Sequence, residues 1–212
     1  MLALLIDPSA EQPDDGVSER ILDAALELAA ASGVQNLTMG GVAQRAGVGR
    51  MTVYRRFGGK VAMLTALGAR EARRCIAELD AASPPEAPMI EQVALGFVVS
   101  IRLTREHPLL RRLVQFEPES VLTALTKEGG SLFAVARTYT AERMAEAQRA
   151  GVLSEEVDVE EASELLVRLA VSFALLPDSM LPLDDEMRLR EIAERMLAPI
   201  VEEPKSPIGG AA

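Results

Sequence analysis

The chain has 212 residues, enough for one compact unit or two small ones with a sizeable core. A single cysteine excludes an internal disulfide and, with a single histidine, the clusters that zinc sites need; the lack of tryptophan and an aromatic share of 3% disfavour stacking platforms for single-stranded nucleic acid. The net charge of −10 would repel nucleic acid if it were spread evenly, but it is not.

Every periodic segment reads as helix, so the expected fold class is all-α. Residues 1–16 are expected as a disordered arm. Their short apolar run, Met1 to Ile6, has no basic residue before it and Asp7 directly after it, which makes a poor signal peptide. Ser18 is the expected N-cap of a first helix with Ile21, Ala25, Leu28 and Ala29 as its apolar stripe and Gly33 as its stop. Thr38 caps a second helix, with Val42 and Ala46 inward, that ends at Gly47. A third, from about Gly49 to Phe57, turns Val53 to the core. The fourth starts near Lys60 and runs to about Ala82, where Ser83-Pro84-Pro85 breaks it.

Longer and more apolar helices follow. One spans roughly Ile90 to Arg105, with Val93, Phe97, Val98 and Ile101 inward. Short ones run from Pro108 through Phe116 and from Pro118 to Leu125, then a long one covers Ser131 to Ala150 and closes at Gly151. The last two are expected from Asp158 to Leu176 and from Asp184 to Val201. Residues 203–212, with Pro204, Pro207 and two glycines, are expected as a disordered tail. The longest apolar runs, such as Val93 to Val99, fall short of the roughly 20 residues of a membrane span, so no membrane partner and a cytoplasmic location are expected.

Charge divides along the chain. Val17 to Cys75 holds nine Lys or Arg against four acids, a balance of +5, whereas residues 1–16 carry −4 and residues 76–212 carry −11. Attraction to phosphate acts within a Debye length, about 8 Å at physiological salt, so the basic segment can bind while the acidic remainder suppresses indiscriminate binding.

That basic segment contains the most informative spacing. Ala43, Gly47 and Val48 allow two short helices to pack at a steep angle, over apolar contact from Val42 and Val53, as in a helix-turn-helix. The second of these helices offers Arg50, Met51, Thr52, Tyr54, Arg55 and Arg56. Arginine can read guanine through two hydrogen bonds, and Thr and Met can touch a thymine methyl; Tyr54 and Lys60 suit phosphates, the lysine aided by the positive end of the fourth helix.

Ile21 to Ala25, Gly33, Leu37-Thr38, Val42-Ala43, Ala46-Gly47-Val48, Val53-Tyr54, Phe57 and Lys60 together resemble the N-terminal domain of the TetR family of transcriptional regulators, over about residues 17–65. The resemblance implies phosphate contacts from Thr38, Tyr54 and Lys60 and base contacts from Arg50, Met51 and Thr52. Gly49, Gly40-Gly41 and Gly58-Gly59 depart from that pattern: they remove a cap from the reading helix and weaken the second helix by up to ~1 kcal/mol per glycine relative to alanine. The expected consequence is a module that is loose until DNA orders it.

The resemblance also implies that residues 66–202 form an effector-binding and dimerisation domain. The segment Ala162 to Leu176 is apolar on more than one face, and Leu165, Leu169 and Phe173, with Ile192, Met196 and Ile200, are the expected interface of a homodimer; the core of a monomer is the plainer alternative. Two-fold symmetry would call for a palindromic operator with half-sites about 34–36 Å apart, or a multiple. Phe97, Ile101, Leu113, Phe116, Phe133, Arg137 and Phe173 are the candidate lining of a largely apolar effector pocket, ordinary core packing being the simpler account of each.

The remaining chemistry-bearing residues have plain explanations. His107 before Pro108 suits a cap more than a base, Cys75 beside Arg73-Arg74 suits a helix face more than a redox centre, and the acids at 155–156, 160–161 and 184–186 suit helix starts more than a metal. No Gly-rich phosphate loop or nucleophile elbow occurs, so neither an enzyme nor a cofactor is expected. The expected function is a ligand-responsive homodimeric regulator, a repressor more than an activator, that leaves double-stranded operator DNA when a small effector binds. The alternative is an all-helical small-molecule-binding protein or enzyme without a DNA role.

Overall fold

A computed structural model describes residues 15–126, 132–176 and 178–202. Among these residues the regular structure is entirely helical, in ten α-helices: α1 (Gly16–Ser32), α2 (Met39–Ala46), α3 (Arg50–Phe57), α4 (Lys60–Ala82), α5 (Met89–Glu106), α6 (Pro108–Phe116), α7 (Pro118–Thr126), α8 (Leu132–Arg149), α9 (Val159–Leu175) and α10 (Glu186–Val201). Most of the expected arm and the whole of the expected tail lie outside the described residues. No helix among the described residues is long and apolar enough to cross a membrane.

The chain forms two compact units. The first takes residues up to Ile76 together with Thr104–Ala134, and the second takes Ala77–Leu103 together with the chain from Val135 onward. The expected helix-turn-helix domain of 17–65 lies wholly in the first unit, which is larger than that. It also holds α6, because Leu109 and Leu113 bury in the same core as Ile21, Leu22, Val42, Val53, Met63 and Leu64. The second unit has its own core, in which Val93, Phe97, Val98 and Ile101 of α5 meet Met144, Leu166, Leu189 and Leu197.

The start of α1 differs from expectation. Asp15, not Ser18, is the N-cap: its Oδ1 accepts from the backbone N–H of Val17 at 3.0 Å and of Ser18 at 2.8 Å. A carboxylate at this place satisfies two orphan donors and favours the positive helix end, so the helix begins a turn earlier than a serine cap would set it. Ser18 lies buried in the first turn instead. The other end agrees with the sequence: Gly33 stops α1 at φ 91°, and its N–H closes on the Ala29 carbonyl at 2.9 Å. A Cβ there would also stand 2.8 Å from the Glu117 carboxylate, a flexible side-chain end that can move aside, so it is the positive φ that favours glycine.

Candidate nucleic-acid interface

The helix-turn-helix is built from two caps and a small core. Thr38 Oγ1 accepts from the Gly41 N–H at 3.1 Å and starts α2. Gly47 ends it in the left-handed region, φ 66° and ψ 35°, where its own N–H reaches the Gln44 carbonyl and that of Val48 the Ala43 carbonyl at 3.0 Å. These bonds satisfy the last carbonyls of α2 and reverse the chain within a few residues, a conformation that glycine adopts without a Cβ penalty. Val42 and Val53 are fully buried beneath the turn, with Ala43 and Phe57 beside them.

α3 then starts at Arg50 from Gly49, which supplies no side-chain cap. Its buried positions are Val53 and Phe57. On a helical wheel of about 100° per residue, Met51, Thr52 and Arg55 lie farthest from these two. Met51 is accordingly 77% exposed, a large apolar side chain standing in solvent at the N-terminal turn. Arg50 is exposed with its guanidinium 5.6 Å from the centre of the Tyr54 ring, and Arg55 is exposed one turn on from Met51. Tyr54 is half-buried and packs on the core of this unit. The arrangement presents donors, an aromatic hydroxyl residue and a soft apolar group on one short helix, a composition suited to base edges.

Three of the expected DNA contacts are engaged within the protein. Thr38 accepts the cap bond, which leaves its hydroxyl proton available to donate. Lys60 Nζ donates to the Gln35 carbonyl at 2.8 Å and so ties the start of α4 to the α1–α2 loop. Arg56 differs most from expectation: it turns back onto α1, pairs with Asp15 and donates to Ser18 Oγ at 3.1 Å. The physical reason is its place on the wheel, about 80° from the buried Val53–Phe57 face, on the side that α1 covers.

Behind the helix-turn-helix lies a charged cluster that sequence spacing did not reveal. Arg70 of α4 has a side chain only 5% exposed and meets Glu71 at 2.7 Å, Asp23 at 2.9 Å and Glu19 at 3.1 Å. Burial works against its charge, but Glu71 and the α1 acids more than offset that and raise its pKa. Burial alone would raise Glu71; the hydrogen bond from His107 and the Arg70 guanidinium outweigh it and hold the carboxyl below its ordinary range. His107 Nδ1 accepts from the Leu110 N–H at 3.4 Å, which leaves Nε2 to donate to Glu71 at 3.1 Å. The histidine is thus a cap, as its place before Pro108 suggested, and also a bridge from α6 to α4. The only sign in the sequence was four acids and nine bases sharing one segment, and such a count does not say which of them pair.

Residues 21–67 match the family model described as bacterial regulatory proteins, tetR family. The chain carries the TetR-family helix-turn-helix domain. The chain is 34% identical over 129 residues to the HTH-type transcriptional repressor KstR of Rhodococcus jostii, covering 58% of this chain and 60% of that protein. It is 31% identical over 93 residues to an uncharacterized HTH-type transcriptional regulator of Mycobacterium tuberculosis, covering 44% of this chain and 46% of the relative. The chain therefore spans about half the length of the curated relatives it matches. Among solved structures, the TetR-family transcriptional repressor QsdR of R. erythropolis is 25% identical with a TM-score of 0.56, covering 89% of this chain and 96% of that one. GusR of Salmonella enterica shares the fold, with a TM-score of 0.65 at 16% identity over 90% of this chain and 97% of its own. KstR and QsdR are named repressors, not enzymes.

The expected effector and dimer residues divide between the two units. Phe97 and Phe173 stack edge to face with ring centres 5.6 Å apart in the second unit, where Ile101 is buried. Arg137, in the same unit, faces Glu160 at 3.5 Å and Glu164 at 4.0 Å. Leu113 belongs to the core of the first unit, and Phe116 is 61% exposed there, with Arg112 over its ring at 5.2 Å. Phe133 is half-buried. Leu165 is 52% exposed on α9 and Met196 is exposed on α10, while Leu169, Phe173, Ile192 and Ile200 are half-buried.

Proposed function

We propose that this protein is a cytoplasmic transcriptional repressor that binds a palindromic operator as a homodimer and is released by a small, largely apolar effector. The observation that carries the DNA-binding reading is α3 itself: it follows a capped and tightly turned α2 and leaves Arg50, Met51 and Arg55 exposed, with Thr52 half-buried. Arg50, Met51 and Thr52 would meet bases; Thr38, Tyr54, Arg55 and Lys60 would meet phosphates and fix register. KstR and QsdR, both named repressors, favour repression over activation.

Homodimer formation is supported by apolar side chains that the second unit leaves open on its last two helices, Leu165 on α9 and Met196 on α10, the latter in one row with the half-buried Ile192 and Ile200. Covering such a face with a second copy buries what one chain leaves wet. The effector would sit against Phe97, Ile101 and Phe173, and favour a conformer whose two α3 helices are wrongly spaced for DNA; differential affinity for two states is sufficient. The test is anisotropy titration of duplexes that the protein selects from a randomised pool, across a salt series. Arg50→Ala should relax base preference at one position by ~1–3 kcal/mol, with scrambled duplex bound as before. Equal losses on selected and scrambled duplexes would falsify base reading by Arg50.

A further inference from the structure

The two residues that flank the buried face of α3 do different work. Tyr54 lies on one flank and packs on the core, whereas Arg56 lies on the other and holds α1. Its side chain is 23% exposed and its Nε is buried without a hydrogen-bond partner among the described residues, so part of the guanidinium has given up water to reach this place. Asp15 receives it in a divided way. Oδ1 accepts the Val17 and Ser18 N–H groups that start α1, and Oδ2 takes Arg56 NH1, which also reaches the Ser18 hydroxyl at 3.1 Å. The Ser18 N–H is the main cause, and Arg56 a further one, that keep the Asp15 carboxyl below its ordinary range. One carboxylate thus begins the first helix and anchors the last turn of the reading helix, 41 residues away in sequence.

We propose that Asp15 and Arg56 are positioning residues for DNA reading: their pair fixes the rotation of α3 against α1, and with it the direction in which Arg50, Met51 and Thr52 project, while Arg56 makes no phosphate contact of its own. This rests on the operator-binding reading above. Rotation matters because base contacts are directional at the scale of a hydrogen bond, whereas attraction to phosphate tolerates a tilt. A loose α3 should therefore lose sequence preference before it loses affinity for duplex in general.

The sign of one substitution separates the two roles for Arg56. Asp15→Asn keeps an N-cap of nearly equal quality and removes a negative charge from the DNA-binding unit. If Arg56 bound phosphate, this change would free it and tighten binding to every duplex; if Arg56 positions α3, the selected duplex is bound more weakly. The experiment uses the full chain and two duplexes, one selected from a randomised pool by the wild-type protein and one scrambled. Asp15→Asn and Arg56→Gln are each expected to weaken the selected duplex about tenfold relative to the scrambled one, which follows only the one-unit change of charge, the double variant no more than either alone, and all three to leave the salt slope unchanged. Arg56→Lys, which keeps the charge but carries it on a shorter head group that reaches Asp15 and Ser18 less well, is expected to restore only part of the preference. Ser18→Ala, a milder change, should move the selected duplex in the same direction by a few-fold.

Tighter binding by Asp15→Asn, additive losses in the double variant, or a fall of about one in the salt slope with Arg56→Gln on both duplexes would overturn the proposal. A wild-type protein that selects no duplex would overturn the operator reading and this role with it. A urea double-mutant cycle showing Asp15–Arg56 coupling, beside unchanged preference for the selected duplex, would remove the positioning role alone.

Discussion

The two units leave apolar side chains exposed in different ways. In the first, Met51, Val61, Phe116 and Leu122 stand singly on α3, α4, α6 and α7. In the second, Leu165 lies on α9, Leu176 caps it, Met180 follows in the connector, and Met187 and Met196 lie on α10, all within two consecutive helices and the chain between them. Isolated exposed apolar residues are ordinary, whereas several gathered on neighbouring elements mark a surface that something covers. The first unit instead concentrates charge, and part of that charge is paired within the protein: Arg45 with Glu27 and Arg74 with Glu19 and Glu71 at the surface, Arg56 with Asp15 half-buried, and Arg70 with the acids of α1 and α4 in the interior. A local balance of +5 is therefore a poor measure of what DNA meets. In the operator-binding reading the exposed Arg50 and Arg55 of α3 carry that role, while Arg56 and Arg70 hold α1 against α3 and α4.

The strongest way to break this contrast is Arg70→Ala. It leaves Glu71 buried beside His107 without its main cation and separates α1 from α4, so the first unit should lose about 3 kcal/mol in urea unfolding. A loss below about 1 kcal/mol would mean that the network only decorates the packing. The same cluster sets an acid limit. The native Glu71 carboxyl titrates below its ordinary value of 4.5, so its contribution is complete above that pH and is lost as pH falls through the lower native value. Glu71→Gln should flatten the decline of stability on that acid side, as read by urea midpoints from pH 6 downward. Next in size is the second unit's face. Leu165→Glu together with Met196→Glu places charge where a second copy is proposed to pack, and should weaken self-association by ~2 kcal/mol or more in sedimentation equilibrium, with the helical content unchanged.

The fold was legible because its signals are local. Gly33, Gly47 and Gly151 all take positive φ where a helix stop was expected, and α4 and α6 begin at Lys60 and Pro108 as the spacing predicts. Periodicity also identified inward faces correctly at Val53, Phe97 and Ile101. It does not say which core a face enters: Leu113 buries in the core of the first unit, whereas Phe97 and Ile101 bury in that of the second. Nor does spacing along one helix report a partner on another. Asp15 and Arg56 are far apart in the chain, and the acidic residue that actually caps α1 lay in a stretch with no helical period to mark it. Cross-helix pairing was the part of the candidate site hidden from the sequence, and it decides which of the basic residues face outward.

The smaller effects lie in α2 and sharpen the question of how firmly the reading helix is held. Thr38→Ala removes the acceptor for the Gly41 N–H and should cost about 1 kcal/mol, seen as faster amide exchange over α2. Gly40→Ala should do the opposite. A Cβ at Gly40 meets nothing within 4 Å, so alanine there restricts the unfolded chain without a clash and should add up to ~1 kcal/mol, less for a first-turn position. Its neighbour is the control: a Cβ at Gly41 would stand 3.1 Å from Thr38 Oγ1, and pressing on the capping oxygen should cancel the gain. If α2 is the loose element that its glycines imply, Gly40→Ala raises amide protection from Gly40 through Lys60, because α3 is held against α2 by Val42 and Val53 and stiffens with it. Protection already near the global limit in the wild-type protein, unchanged by Gly40→Ala, would mean that the buried valines and the Asp15–Arg56 pair fix the module without help from helix propensity.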